Sequence, residues 1–99
     1  MSVMKEVDKT SNTVTLAIEG AFGFNLVQEF RNAYTEHLNS QFIIDLRKVD
    51  YIDSAGLGML LNMQKHLNSA DGRIKIINTL PQVRKILLIS RFDKKFNIE

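Results

Sequence analysis

The chain has 99 residues, 44% of them hydrophobic, which is enough for one domain spanning 1–99 with an ordinary core. Thirteen basic and eleven acidic residues give a formal charge of +2, too balanced to argue for nucleic acid. There is no Cys, which excludes disulfide scaffolds, thiolate catalysis and Cys-based metal sites, and no apolar run approaches the ~20 residues of a membrane span.

Met1 to Val7 alternates weakly and reads as a short edge strand, and Asp8 to Asn12 reads as a turn. Thr13 to Glu19 alternates strictly, placing Val14, Leu16 and Ile18 on one face of a half-buried strand that Gly20 ends. After the loop Ala21–Asn25, Asn25 is a plausible N-cap for a helix from about Leu26 to Leu38. Phe42 to Leu46 is nearly all apolar, as expected of a central strand buried on both faces.

A second helix is expected over Ser54 to Ser69, with Leu57, Leu60, Leu61 and Leu67 facing the sheet and Met59, Asn62 and His66 opposite. Ala70-Asp71-Gly72 reads as a turn, and Arg73 to Asn78 as a strand with Ile74 and Ile76 inward. Pro81 fits the first turn of a third helix ending near Ser90, with Val83, Ile86, Leu87 and Ile89 as its apolar stripe. Arg91 to Lys95 is a basic helix end, either simply solvated or a contact for an acidic partner, and Phe96 to Ile98 could close the chain as a strand. The order β-β-α-β-α-β-α-β favours a mixed sheet with helices packed against it.

The most informative stretch is Val49 to Gly58, where a strand hands over to a helix. Ser54 stands at that helix N-terminus, a place that tolerates added negative charge. Asp53 either caps the helix or orients the Ser54 hydroxyl, and the two roles are compatible. Ser54 could itself be only a cap. Gly56 and Gly58 each cost on the order of 1 kcal/mol within a helix. They imply close approach, either of a neighbouring strand or of a kinase active site. Gly58, Met59 and Asn62 should project from the core beside Ser54, as a contact surface or, for Met59, as an isolated exposed apolar residue. Phe22 and Phe24 either border the same end of the sheet or fill the core.

An enzymatic Ser needs a base. Ile52 stands before Asp53, so there is no G-x-S-x-G elbow, and His66 lies twelve positions on. His37 and His66, both read as surface residues, form no metal-ligand cluster. A catalytic residue, cofactor and metal are therefore not expected. The Asp-Ser pair is similar to the attachment site of phosphopantetheine carrier proteins, but those are acidic helical bundles, unlike this strand-containing basic chain.

Asp53-Ser54-Ala55-Gly56-Leu57-Gly58, set between a strand and an apolar helix, resembles the STAS domain of the anti-sigma factor antagonists. The resemblance covers essentially the whole chain, including Gly20 and a final helix like Val83–Leu87. It implies a mixed, mostly parallel sheet of four to five strands with three or more helices packed on it. It further implies a bacterial, cytoplasmic phosphoprotein that acts in signal transduction and transcription regulation by partner switching. The unphosphorylated form would bind an anti-sigma factor that is also a GHKL-type serine kinase. Phosphorylation at Ser54 would release it, and a PP2C-type phosphatase would reset the switch. Asp53 and Gly56 would support the phosphosite.

The family's loop after Gly20 often reads G-x-(Leu/Ile)-Asp, whereas Gly23 occupies the acidic position here. That departure brings in a multidomain response regulator, combining kinase and phosphatase activities, as a second candidate partner. The competing expectation is a STAS subunit of a membrane lipid-transport ATPase complex, which would bind its partner constitutively.

Overall fold

A computed structural model describes residues 2–67 and 73–99. Five strands form one sheet: β1 (Ser2–Asp8), β2 (Thr13–Glu19), β3 (Gln41–Lys48), β4 (Ile74–Ile77) and β5 (Asn97–Ile98). Their spatial order is their chain order. β1 runs antiparallel to β2, and the other pairings are parallel. Three helices make the crossovers: α1 (Val27–Tyr34), α2 (Ser54–His66) and α3 (Pro81–Ile89). Parallel crossovers that always advance in one direction with one hand deliver their helices to the same face of the sheet.

Burial follows that rule. Val14, Leu16, Ile18, Phe42, Ile44, Leu46, Ile74 and Ile76 are buried in one cluster with Phe30, Leu60, Met63, Val83 and Leu87 from the helices. The opposite face carries Thr15, Ala17, Ile43 and Asp45, all half-buried. β3 is therefore covered on one face, not on both as its apolar run predicts. Asp45 shows why the second face can stay wet: its carboxylate accepts from the Arg47 and Asn78 side of the surface, not from the core.

All three helices are phased or bounded differently from the periodicity. α1 begins at Val27 after a 3-10 turn over Phe24–Leu26, with Leu26 and not Asn25 at its N-cap, and it stops at Tyr34. In α2 the buried residues are Gly56, Met59, Leu60 and Met63, while Leu57 is half-buried and Leu61 exposed. Leu57 to Leu61 is apolar on several sides, so hydrophobicity alone does not fix the rotation. Gly56 fixes it by seating the helix start against the chain at Phe22.

In α3 only Val83 and Leu87 are buried, and Ile86 and Ile89 are exposed. Arg91 to Lys95 forms a left-handed residue followed by a 3-10 turn over Phe92–Lys94, whose Phe92 stacks on Phe96 at 5.3 Å inside the core. Residues 68 and 69 of the expected second helix, and the turn expected at 70–72, lie outside the described residues.

Candidate functional site

The chain leaves β3 through Val49, fully buried, then Asp50 and Tyr51, both exposed, and returns inward at Ile52. There it meets the loop that follows β2. Phe22 and Ile52 form an isolated parallel bridge, with Phe22 N–H donating to Tyr51 O at 2.9 Å and Asp53 N–H to Phe22 O at 3.4 Å. Gly20, at φ 100°, makes the turn that brings this loop across, and its N–H donates to Lys48 O at 3.1 Å. Two loops from adjacent strands are thus stitched together beneath the start of α2.

Asp53 is the N-cap of α2. Its backbone is extended and its Oδ1 accepts from Gly56 N–H at 3.0 Å. This satisfies one of the N–H groups that a helix start leaves without an intrahelical acceptor. Ser54, the first helical residue, is exposed. Gly56 is buried, and a Cβ there would lie 2.2 Å from Phe22 O and 2.7 Å from Ile52 Cγ1. Gly56 is thus closely packed on the Phe22 and Ile52 segments of its own chain, one of the two readings of its small size. Gly58 differs: a Cβ there would meet nothing within 4 Å.

The other site candidates divide. Phe24 is 79% exposed, while Phe22 is fully buried against Phe30 with ring centroids 5.2 Å apart. Phe22 acts as a floor under the Ser54 turn and presents no surface. Met59 is buried as well, a correction to its expected outward projection. It sits one turn from Gly56 on the face that contacts α1. Asn62 is exposed as expected. Gly23 is buried, and a Cβ there would lie 2.7 Å from Asp53 Oδ2. An acidic side chain at that position would crowd the capping carboxylate with like charge.

Met59 and Asn62 also line a groove of about 340 Å³ between α1 and α2, whose other walls are Val27, Phe30, Arg31, Tyr34, Lys65 and His66. The Tyr34 ring lies edge-on to His66 at 5.5 Å. Burial raises the Tyr34 phenol above its ordinary value, opposed by the Arg31 guanidinium. No sequence motif marks this groove. The available signal was the pair of i, i+4 spacings Val27–Arg31 and Asn62–His66, each a two-residue stripe on one helix.

His37 meets Lys5 Nζ at 3.2 Å and His66 meets Tyr34, so both imidazoles are engaged away from Ser54. Among the described residues no group of His, Cys, Asp or Glu could hold a metal ion, and no helix is long and apolar enough to cross a membrane.

This architecture matches known proteins. Residues 6–98 fit the family described as Mlab, STAS domain, and the chain belongs to the STAS-domain family. It is 40% identical to a STAS-domain containing protein of Pseudomonas aeruginosa over 86% of each chain. It is 26% identical to the anti-sigma F factor antagonist of Lysinibacillus sphaericus over 82% of this chain and 73% of that one. The fold is that of the anti-sigma factor antagonist SpoIIAA. Against its unphosphorylated form the TM-score is 0.73 at 17% identity, covering 99% of this chain and 87% of that one. Against the phosphorylated Bacillus form the TM-score is 0.72 at 20% identity, covering 99% and 91%.

Proposed function

We propose that this chain is a non-enzymatic, phospho-regulated binding protein of a bacterial partner-switching pathway, of the anti-sigma factor antagonist type. It acts in the cytoplasm. Unphosphorylated, it binds an anti-sigma factor that is also a GHKL-type serine kinase. Phosphorylation at Ser54 releases that partner, and a PP2C-type phosphatase restores binding. The observation that carries this reading is the exposed Ser54 at the first position of α2, on a platform immobilised by the Phe22–Ile52 bridge and the Asp53 cap. Relatives named as anti-sigma factor antagonists support it.

The physics of the turn is suited to a switch. A phosphoryl group adds about −1.5 to −2 charge and three acceptor oxygens. The helix N-terminus offsets part of that charge within this protein. A partner surface packed over Ser54 would have to desolvate it, beside the Asp53 carboxylate. The fold need not move for binding to be lost.

The test is binding of the cognate partner by Ser54→Ala and Ser54→Asp. We expect the Ala form to bind as wild type and the Asp form to lose about 100-fold, or roughly 2.7 kcal/mol. Equal binding would remove the switch and leave a constitutive subunit, as in a transport ATPase complex. Intact-mass analysis of protein from its native host supplies the covalent half: a phosphate-sized increase on Ser54 that varies with growth condition.

A further inference from the structure

The α1–α2 groove has an uneven chemistry. Its floor is apolar, formed by Phe30 and Met59, with Val27 partly exposed at one end. Its rim is cationic or titratable, formed by Arg31, Lys65 and His66, all exposed. Among the described residues no acid lines it, and α2 contains none from Ser54 to His66. The one acid in α1, Glu29, is turned away, its Oε2 accepting from Val3 N–H of β1 at 2.7 Å. Among the described residues the ion pairs are Arg47–Asp45, Lys48–Glu19 and Lys75–Glu99, and neither Arg31 nor Lys65 is paired with an acid from among them. The net charge is only +2, and this concentration of cations is local.

The groove is continuous with the Ser54 surface. Ser54, Gly58, Asn62 and Lys65 follow one another up α2 at i, i+4, i+8 and i+11, a single stripe in a 3.6-residue helix. The stripe spans ~16 Å at 1.5 Å per residue, well inside a standard protein interface. Open space over Gly58 leaves it unobstructed.

We propose that the groove receives a short acidic segment of the protein partner that docks at Ser54. One apolar side chain of the segment covers Phe30 and Met59, and its carboxylates meet Arg31 and Lys65. This assignment rests on the partner-binding reading above and adds the chemistry of what binds. Charge complementarity selects the occupant: a basic or purely apolar segment would leave the rim cations facing like charge or desolvated without a counter-ion. The groove also separates two tasks. Ser54 decides whether the partner binds, and the groove decides which partner binds.

Two measurements test it on the whole chain. In the first, amide NMR shifts are followed while adding a synthetic amphipathic peptide of Glu and Leu, with a Lys-for-Glu peptide as comparator. Shifts at Val27, Arg31, Asn62, Lys65 and His66 with the acidic peptide alone, weakened about tenfold by Arg31→Glu/Lys65→Glu, support the proposal. Equal response to both peptides, response elsewhere, or binding of this face to anionic phospholipid vesicles and not to the peptide overturns it.

In the second, the cognate partner is titrated against Ser54→Asp and, separately, against Arg31→Glu/Lys65→Glu. Both rim residues are exposed, so the double variant should unfold at the wild-type temperature, which circular dichroism checks. Loss in both variants supports switch and groove together. Loss in Ser54→Asp alone overturns the groove and keeps the switch. Loss in the double variant alone keeps the groove and removes the switch.

Discussion

The two ends of α2 are held by different means. At the N-terminal end two of the contacts are made by backbone, the Phe22–Ile52 bridge and Gly56 pressed on the Phe22 carbonyl, and the third by one short side chain, the Asp53 cap. At the C-terminal end they are made by long side chains. Gln64 donates to Lys95 O at 2.7 Å, His66 leans on Tyr34, and the Arg73 guanidinium donates to Leu67 O at 3.0 Å. Backbone contacts fix a position closely and leave little room for substitution. Side-chain contacts hold a region in place while leaving its surface chemistry open to change. The end that would carry the switch is therefore the end with the stiffest support, and the end that lines the groove is the one whose charges can vary without cost to the fold.

Gly56→Ala should break the comparison most severely. A Cβ 2.2 Å from a carbonyl oxygen cannot be relieved by turning a side chain, since the obstacle is backbone. Either α2 lifts or the Phe22 loop shifts, and both disturb a core that includes Phe30. We expect a loss of about 3 kcal/mol, at the upper end of ordinary overpacking, and a fall in Tm of roughly 12–24 °C. Thermal unfolding followed by circular dichroism measures it. A change of under a few degrees would mean that the stitched loops are soft and the rigid-platform argument fails.

At the opposite end the corresponding change is Arg73→Met. The guanidinium also donates to Leu38 O at 2.5 Å and Ser40 O at 2.9 Å, so one side chain ties the segments following α1 and α2 to the entrance of β4. Some of those carbonyls can recruit water when the donor is lost. The expected cost is about 2 kcal/mol, less than for Gly56→Ala. Hydrogen exchange should show faster opening at Leu67 and Ser40 with Gly56 and Leu57 unchanged. Uniform acceleration across both ends would show that α2 opens as one unit.

How much of this was legible in the sequence depends on the kind of contact. β2 matches its expected bounds because strict alternation carries its own register, and α3 starts at Pro81 because a ring with fixed φ and no N–H suits a first helical turn. Asp53 reads either as a cap or as a residue orienting Ser54, and the structure has its carboxylate accepting from Gly56 N–H. The rotation of α2 does not follow from spacing, because Leu57, Met59, Leu60, Leu61 and Met63 offer apolar surface in several directions. The contact that chooses among those directions is made by Gly56 to a residue 34 positions away, Phe22. The groove was hidden for the same reason: Arg31 and Lys65 belong to different helices, and only their juxtaposition gives them meaning.

Asp53 permits a finer cut within the N-terminal end, separating its cap from its charge. Asp53→Ala removes the acceptor for Gly56 N–H and should cost about 1 kcal/mol. Asp53→Asn keeps an oxygen in place and should cost only a few tenths, because Asn caps nearly as well. Chemical denaturation resolves the pair. In partner binding the ranking should differ. If the Asp53 charge assists release, then adding Asp53→Asn should narrow the gap between Ser54→Asp and Ser54→Ala, whereas an unchanged gap would assign Asp53 to the cap alone.

The smallest effect is expected at Gly58, and its sign is opposite to that at Gly56. Nothing lies within 4 Å of a Cβ added there, and the backbone is already helical. Gly58→Ala should therefore raise stability by about 0.5–1 kcal/mol, the usual gain from replacing glycine in a helix. Two glycines only two residues apart in one helix would then be distinguished by experiment: Gly56 needed for contact within the chain, Gly58 present at a cost in stability. Gly58→Leu tests the reason for that cost. It should leave the fold intact and weaken partner docking, because its side chain would occupy the open ground between Ser54 and the groove. A Leu variant that both folds and binds as wild type would place the partner elsewhere and reduce Gly58 to an incidental weakness in α2.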